Sequence, residues 1–267
     1  LLLVFLFGFA KAAVFPLHGW LPAAMVAPTP VSALLHAVAV VKVGAFSIVR
    51  VVTGVFGFDL LASFQLGYVV ALIASVTIIL GSLVALSQDE LKRRLAFSTV
   101  SQLSYIVLGV ALLTPYGLVG GVLHIVMHAL GKITLFFCAG AIMVATGKKH
   151  ISEMDGIGKA MPITMGAFFI GSLSIIGLPP CGGFISKWYL VLGTLQKQSL
   201  LLMTVILASS LLNAAYFLPI VYKAFFREPK DPGLNPSSSK EPYMCVAPLV
   251  VTAIGSIVLF FWPDLFI

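Results

Sequence analysis

Long apolar runs separated by short polar links dominate the chain. Several of them reach the ~20 residues that an α-helix needs to cross a ~30 Å hydrocarbon core, and eight spans can be drawn. The first runs from Leu1 to about Pro30 and is interrupted by Pro16 and Pro22 around His18, Gly19 and Trp20. The second covers Val31 to Val52, the third Leu66 to Leu86, the fourth Leu95 to Thr114 and the fifth Gly117 to Ala145. A sixth starts at Pro162, breaks over Gly177, Leu178, Pro179, Pro180, Cys181, Gly182 and Gly183, and resumes to about Gly193. The seventh is Leu200 to Phe226 and the eighth ends near Trp262. Membrane strands would instead alternate polar and apolar residues over ~10 positions, and the chain shows no such alternation. The pattern predicts an all-α, polytopic transmembrane helix bundle with two broken helices.

Composition agrees: of 267 residues, 60% are hydrophobic and 9% charged, against roughly 25% charged in a soluble domain. The net charge of +7 forms no patch for nucleic acid, because the basic residues sit in short links or singly inside spans. Lys92, Arg93 and Arg94, then Lys148, Lys149 and Lys159, then Arg227, Lys230 and Lys240 fill alternate links, whereas the other face offers little beyond Arg50 and Lys197. The positive-inside rule puts the basic face in the cytoplasm, matrix or stroma, as for a multi-pass protein of a bacterial cytoplasmic or organellar inner membrane. Cys138, Cys181 and Cys245 are far apart and read as small core residues. With no initiator Met, no basic leader and an apolar run already in progress at Leu1, the chain reads as the C-terminal part of a longer one.

Candidate chemistry lies in the bases inside the spans. Each charged side chain at a bilayer centre costs roughly 2.5 to 3.5 kcal/mol, yet Lys11, His36, Lys42, His124, His128, Lys132 and Lys187 all fall there. All nine acids fall in links or at span ends. An all-basic set repels itself unless members are neutral, water is present, or carboxylates come from elsewhere. His124, His128 and Lys132 recur every four residues, within an arc of about 80° on one helix face. Imidazole titrates near neutral pH and low dielectric disfavours an ammonium, so such a row with water between can pass a proton; the plainer alternative is that each His bonds a carbonyl and Lys132 snorkels. Lys11 precedes the break at Pro16 and Pro22, and Lys187 follows the break at Pro179, Pro180, Gly182 and Gly183. Paired broken helices of this kind point to inverted-repeat transporters, with ordinary proline kinks as the alternative.

The stretch from Phe9 to Pro22 (FAKAAVFPLHGWLP), Ala27 to Ala37 (APTPVSALLHA), Lys92 to Gln102 (KRRLAFSTVSQ), His124 to Lys132 (HIVMHALGK) and Gly177 to Lys187 (GLPPCGGFISK) resemble the antiporter-like, proton-translocating subunits of respiratory complex I and Mrp-type cation/proton antiporters. The resemblance implies half of an inverted-repeat antiporter-like fold, the last eight of fourteen helices. It divides the chain into the end of the first half-repeat (1–52), a second half-repeat (53–226) and a final link and helix (227–267). It further implies proton exchange at Lys11 beside a carboxylate from outside this chain, a link between halves at His36, a central station at Lys132 with His124 and His128 as relay partners, and an exit at Lys187. A subunit of this kind holds no cofactor, metal or catalytic residue of its own and works with other hydrophobic subunits, lipids, H+ and, in an exchanger, Na+. A redox-driven NADH-quinone oxidoreductase type and an Mrp type remain open. The alternatives from other classes are a non-conducting scaffold and a haem-binding electron-transfer subunit; the haem reading suffers because His124 and His128, one turn apart, would crowd each other as ligands.

Overall fold

The computed structural model describes residues 1–229 and 241–265, with the backbone alone at His36 and Leu265. Its helices are α1 (Leu2–Gly8), α2 (Trp20–Ala23), α3 (Thr29–Ala33), α4 (Val40–Arg50), α5 (Phe58–Ser63), α6 (Leu66–Ser87), α7 (Leu91–Ala111), α8 (Pro115–Thr146), α9 (Ile157–Ala160), α10 (Pro162–Ile176), α11 (Gly182–Gln196), α12 (Leu200–Phe226) and α13 (Tyr243–Phe261). No strand occurs among the described residues; one isolated bridge joins Glu90 and His150. The helices α6, α7, α8, α12 and α13 are long and apolar enough to cross a membrane. The three other expected spans are interrupted. The first is split into α1, a 3-10 turn at Ala10–Ala12 and α2; the sixth is split into α10 and α11; and the second carries π-helical turns at Leu34–Val38 and Val51–Phe56 on either side of α4. A π turn inserts an extra residue and rotates the face that the next helix presents.

Local chemistry sets most of the ends. Pro115 stands in the first turn of α8 and Thr114 caps it, its hydroxyl accepting from Gly117 N at 3.1 Å. Gly147 and Gly177 close α8 and α10 in the left-handed conformation, at φ 72° and 86°. The long α8 is the axis of the bundle and touches α3, α7, α10, α11 and α13. Of the five long helices, α7 is the least hydropathic and the most buried.

The basic links meet at one end. Ile151 N donates to Asp89 O at 2.8 Å, Leu91 N to Lys149 O at 3.0 Å and Gly156 N to Lys223 O at 3.1 Å, and Arg227 lies 3.7 Å from the Asp155 carboxylate. Lys230 and Lys240 of the same expected face lie outside the described residues. Cys138 and Cys181 are buried and Cys245 half-buried.

Two expectations about the breaks need correction. Pro22 does not interrupt a helix: it sits in the first turn of α2, where a missing N–H costs nothing because no acceptor is available. The first break is 13–19, around Pro16. Likewise Gly182 and Gly183 open α11, and the second break is 177–181, around Pro179 and Pro180. Those glycines are required by proximity, since a Cβ at Gly183 would lie 1.8 Å from Ser174 O, and one at Gly182 2.5 Å from the Met127 sulfur.

Candidate functional site

On α8, His124, His128 and Lys132 are buried, at 1%, 1% and 0% exposure. His128 meets Lys42 of α4, whose Nζ hydrogen-bonds its Nδ1. The rings of His128 and His124 stack with centroids 5.8 Å apart. His124 is held at both nitrogens, Nε2 lying 3.1 Å from Gln102 Oε1 of α7 and Nδ1 lying 2.9 Å from Ser186 Oγ of α11. A contiguous series of polar groups therefore runs from α4 through α8 to the half-helix after the second break.

Lys187, next in sequence to Ser186, reaches back across that break. Its Nζ donates to Ile175 O at 2.9 Å, Ile176 O at 3.0 Å and Ser210 Oγ at 3.1 Å, and it stands 4.8 Å from the centre of the Tyr105 ring. The carbonyls are those freed where α10 ends. Hydrogen bonds involving a charged group are worth about 1.5 to 3 kcal/mol each, so three of them outweigh the ~3 kcal/mol cost of a lysine at this depth. The amine faces α12 and Tyr105, because α10's free carbonyls lie there. Lys132, expected as the centre of the row, turns toward the start of α7, donating to Leu95 O at 3.0 Å with the Phe217 ring 5.6 Å away.

Lys11, counted among the buried bases, is exposed on the surface of the described chain. It lies in the 3-10 turn that packs against α4 so closely that a Cβ at Gly44 would come 2.5 Å from the Lys11 carbonyl carbon; that contact directs the side chain outward. The His36 backbone lies in the first π turn, and its side chain is outside the described residues.

Several polar partners were not singled out from the sequence: Gln102, Ser186, Ser210, Tyr105, and a cluster in which the Tyr216 hydroxyl lies 2.8 Å from Ser98 Oγ and 2.5 Å from Asn213 Oδ1. The signal available was the density of Ser, Thr and Gln between Ser98 and Ser104 in a span. A cavity of about 720 Å³ opens elsewhere, at the basic end between α3, α8 and α13. No group of three or more His, Cys, Asp or Glu suited to a metal occurs among the described residues.

Residues 1–213 match the family described as NADH:quinone oxidoreductase/Mrp antiporter, transmembrane part. The chain belongs to that family. Among relatives in the NADH:quinone oxidoreductase/Mrp antiporter family, subunit N of the NADH-quinone oxidoreductase of Desulforudis audaxviator is 41% identical over 263 residues, 93% of this chain and 52% of the relative. A Na(+)/H(+) antiporter subunit of Bacillus subtilis is 34% identical over 286 residues, 99% of this chain and 35% of the relative. The fold superposes on a chain of the Mrp complex of Dietzia sp. with a TM-score of 0.87 at 26% identity, over 97% of this chain and 56% of the other. It superposes equally, with a TM-score of 0.87 at 29% identity, on a chain of the archaeal membrane-bound sulfane sulfur reductase. The chain thus spans about half, or less, of the proteins it matches. It is an integral, multi-pass membrane protein of this family, with an all-helical antiporter-like fold.

Proposed function

We propose that the chain is the proton-carrying portion of an antiporter-like subunit in a multisubunit membrane complex. The observation that carries this is the series of adjacent buried groups from Lys42 to His128 by a hydrogen bond, from His128 to His124 by ring stacking and from His124 to Ser186 by a hydrogen bond, beside a helix break occupied by Lys187. Neutral imidazole accepts a proton at one ring nitrogen and releases one from the other. Two of them between lysines in low dielectric form steps over which one charge moves without all being ionised at once. Lys132 is the central store, off the line of direct contacts, and Lys187 stands at the exit. Lys11, on the exposed side, meets a carboxylate of a neighbouring polypeptide, which lowers the cost of its charge in the membrane.

The energy comes from partners. Relatives named for NADH-quinone oxidoreductase and for a Na(+)/H(+) antiporter support two drives, quinone reduction elsewhere in a complex or an opposing Na+ gradient, and the proton step is common to both. Other hydrophobic subunits, and the lipids between them, complete the assembly. The division at residue 52 between two half-repeats belongs to the same proposal. The test is Lys132→Ala in the whole complex, reconstituted with a pH-sensitive dye. Proton transfer is expected to fall at least tenfold with assembly on a native gel intact; transfer at the wild-type rate would refute the role of the lysine.

A further inference from the structure

The cavity of about 720 Å³ between α3, α8 and α13 takes none of its lining from the row of bases. Its wall on α8 includes Phe137, Gly140 and Val144, which the helical period puts on one face, and α13 contributes Cys245 and Pro248. The wall stands open: Val144 is 69% exposed and Met244, at the start of α13, 92%. From Phe137 to Thr146, the last residue of α8, is about 14 Å at the helical rise, close to the ~15 Å depth of hydrocarbon in one leaflet. The groove therefore has the length of a lipid tail.

Its rim is cationic. Lys92, Lys148 and Lys149 line it with one acid, Glu90, and Arg93, 3.6 Å from the Glu90 carboxylate, balances that charge. Lys92 Nζ donates to Met25 O at 2.9 Å and Ala27 O at 2.6 Å. These carbonyls fix the ammonium at the mouth without cancelling its charge, and they use two of its three N–H groups. Lys149 is exposed, and its carbonyl accepts from Leu91 N at 3.0 Å. That bond anchors it beside the turn that carries Lys92, near enough for the two cations to repel.

We propose that this groove binds an anionic phospholipid from the leaflet at the basic end, with the phosphate between Lys92 and Lys149 and one acyl chain along α8 and α13. The apolar wall alone accepts any lipid tail or a helix of a neighbouring polypeptide. The two cations at headgroup depth select the anion, since a negative group between them relieves their repulsion, and basic pockets between membrane helices on this face recognise anionic headgroups. The site is independent of the proton path proposed above.

The experiment places the whole complex in phosphatidylcholine nanodiscs containing a trace of phosphatidylglycerol or phosphatidylcholine with a diazirine in one acyl chain, and maps the cross-links by peptide mass spectrometry. The phosphatidylglycerol probe is expected to label residues 137–144 and 244–248 at least tenfold more than the phosphatidylcholine probe. Lys149→Glu is expected to lower that labelling roughly tenfold, Lys149→Arg to keep it, and Val144→Trp, which fills the open groove, to abolish it. Lys159→Gln, exposed at the same end but outside the cavity, should change nothing. Equal labelling by the two probes, or undiminished labelling in Lys149→Glu, would overturn the proposal. So would an equal loss in Lys159→Gln, which would mean attraction to the basic surface in general, or no label at either segment, which would mean that another polypeptide covers the groove. If Lys149→Glu does not assemble, Val144→Trp and the comparison of the two probes decide.

Discussion

At the first helix break the Ala10 carbonyl is met by the indole N–H of Trp20, 2.8 Å away, and the lysine beside it is exposed. At the second, the Ile175 and Ile176 carbonyls are met by the ammonium of Lys187, which is 5% exposed. The sequence places a lysine next to proline at both, yet only the second break is built around its lysine. Gly177 lets α10 end in the left-handed conformation, and Lys187 crosses it so closely that a Cβ there would sit 2.5 Å from Cδ. Free backbone groups in a bilayer must be satisfied within the protein. A neutral donor suffices for that, so the use of an ammonium at the second break adds a charge that can be gained and lost.

The sharpest way to break the comparison is at the glycines. Gly183→Ala drives a methyl into a backbone oxygen 1.8 Å away and is expected to cost about 3 kcal/mol or more, seen as lost assembly or a much lower melting temperature. Gly19→Ala in the first break meets nothing within 4 Å and is expected to stay within about 0.5 kcal/mol of wild type. Equal melting temperatures for the two would show that the second break is no more tightly built than the first.

Next in size is the lysine pair. Lys187→Met takes the donor from Ile176 O and leaves Ile175 O with the longer bond from Asn213 Nδ2 at 3.4 Å, a loss of about 1 to 3 kcal/mol, whereas Lys11→Met is expected to leave the stability of this part of the bundle unchanged. Lys187→Arg retains donors but does not release its proton, so it should recover much of the melting temperature while proton transfer stays low. An arginine variant with full transfer would remove Lys187 from the path.

The smallest effect concerns how the half-helices start. Glu241 Oε1 accepts from Ile163 N at 3.0 Å and Thr164 N at 3.2 Å, capping α10 from a distant link, while α2 has no side-chain cap. Glu241→Gln removes a charge from a helix N-terminus, worth about 0.3 to 1 kcal/mol. Faster hydrogen exchange at Ile163 and Thr164, with none of the change reaching α11, is the expected result; unchanged exchange would mean that the cap contributes nothing.

Much of this architecture is legible along the chain. The apolar runs mark α6, α8 and α12 to within a few residues and the end of α13 near Trp262, and Pro179 and Pro180 mark the second break. The four-residue spacing of His124, His128 and Lys132 does bury all three. Other marks misled in instructive ways. Pro22 reads as a breaker but sits where a helix tolerates proline, and Gly183 reads as part of a break but opens α11 against the Ser174 carbonyl. In each case residue type is ambiguous between two roles, and only the neighbour across the interface selects one.

The sequence by itself determined that this is a membrane bundle, where its long helices begin and end, and which bases lie at depth along α8, because hydrophobic length, helical period and the missing N–H of proline act within a few residues of where they occur. The tertiary structure alone decided which base meets which. Lys42 and His128 are 86 residues apart in the chain, and His124 and Ser186 62. Such pairs depend on how helices rotate and pack, on a π turn before α4 and on a glycine at the start of α11. Their chemistry is set by distances that no local pattern encodes.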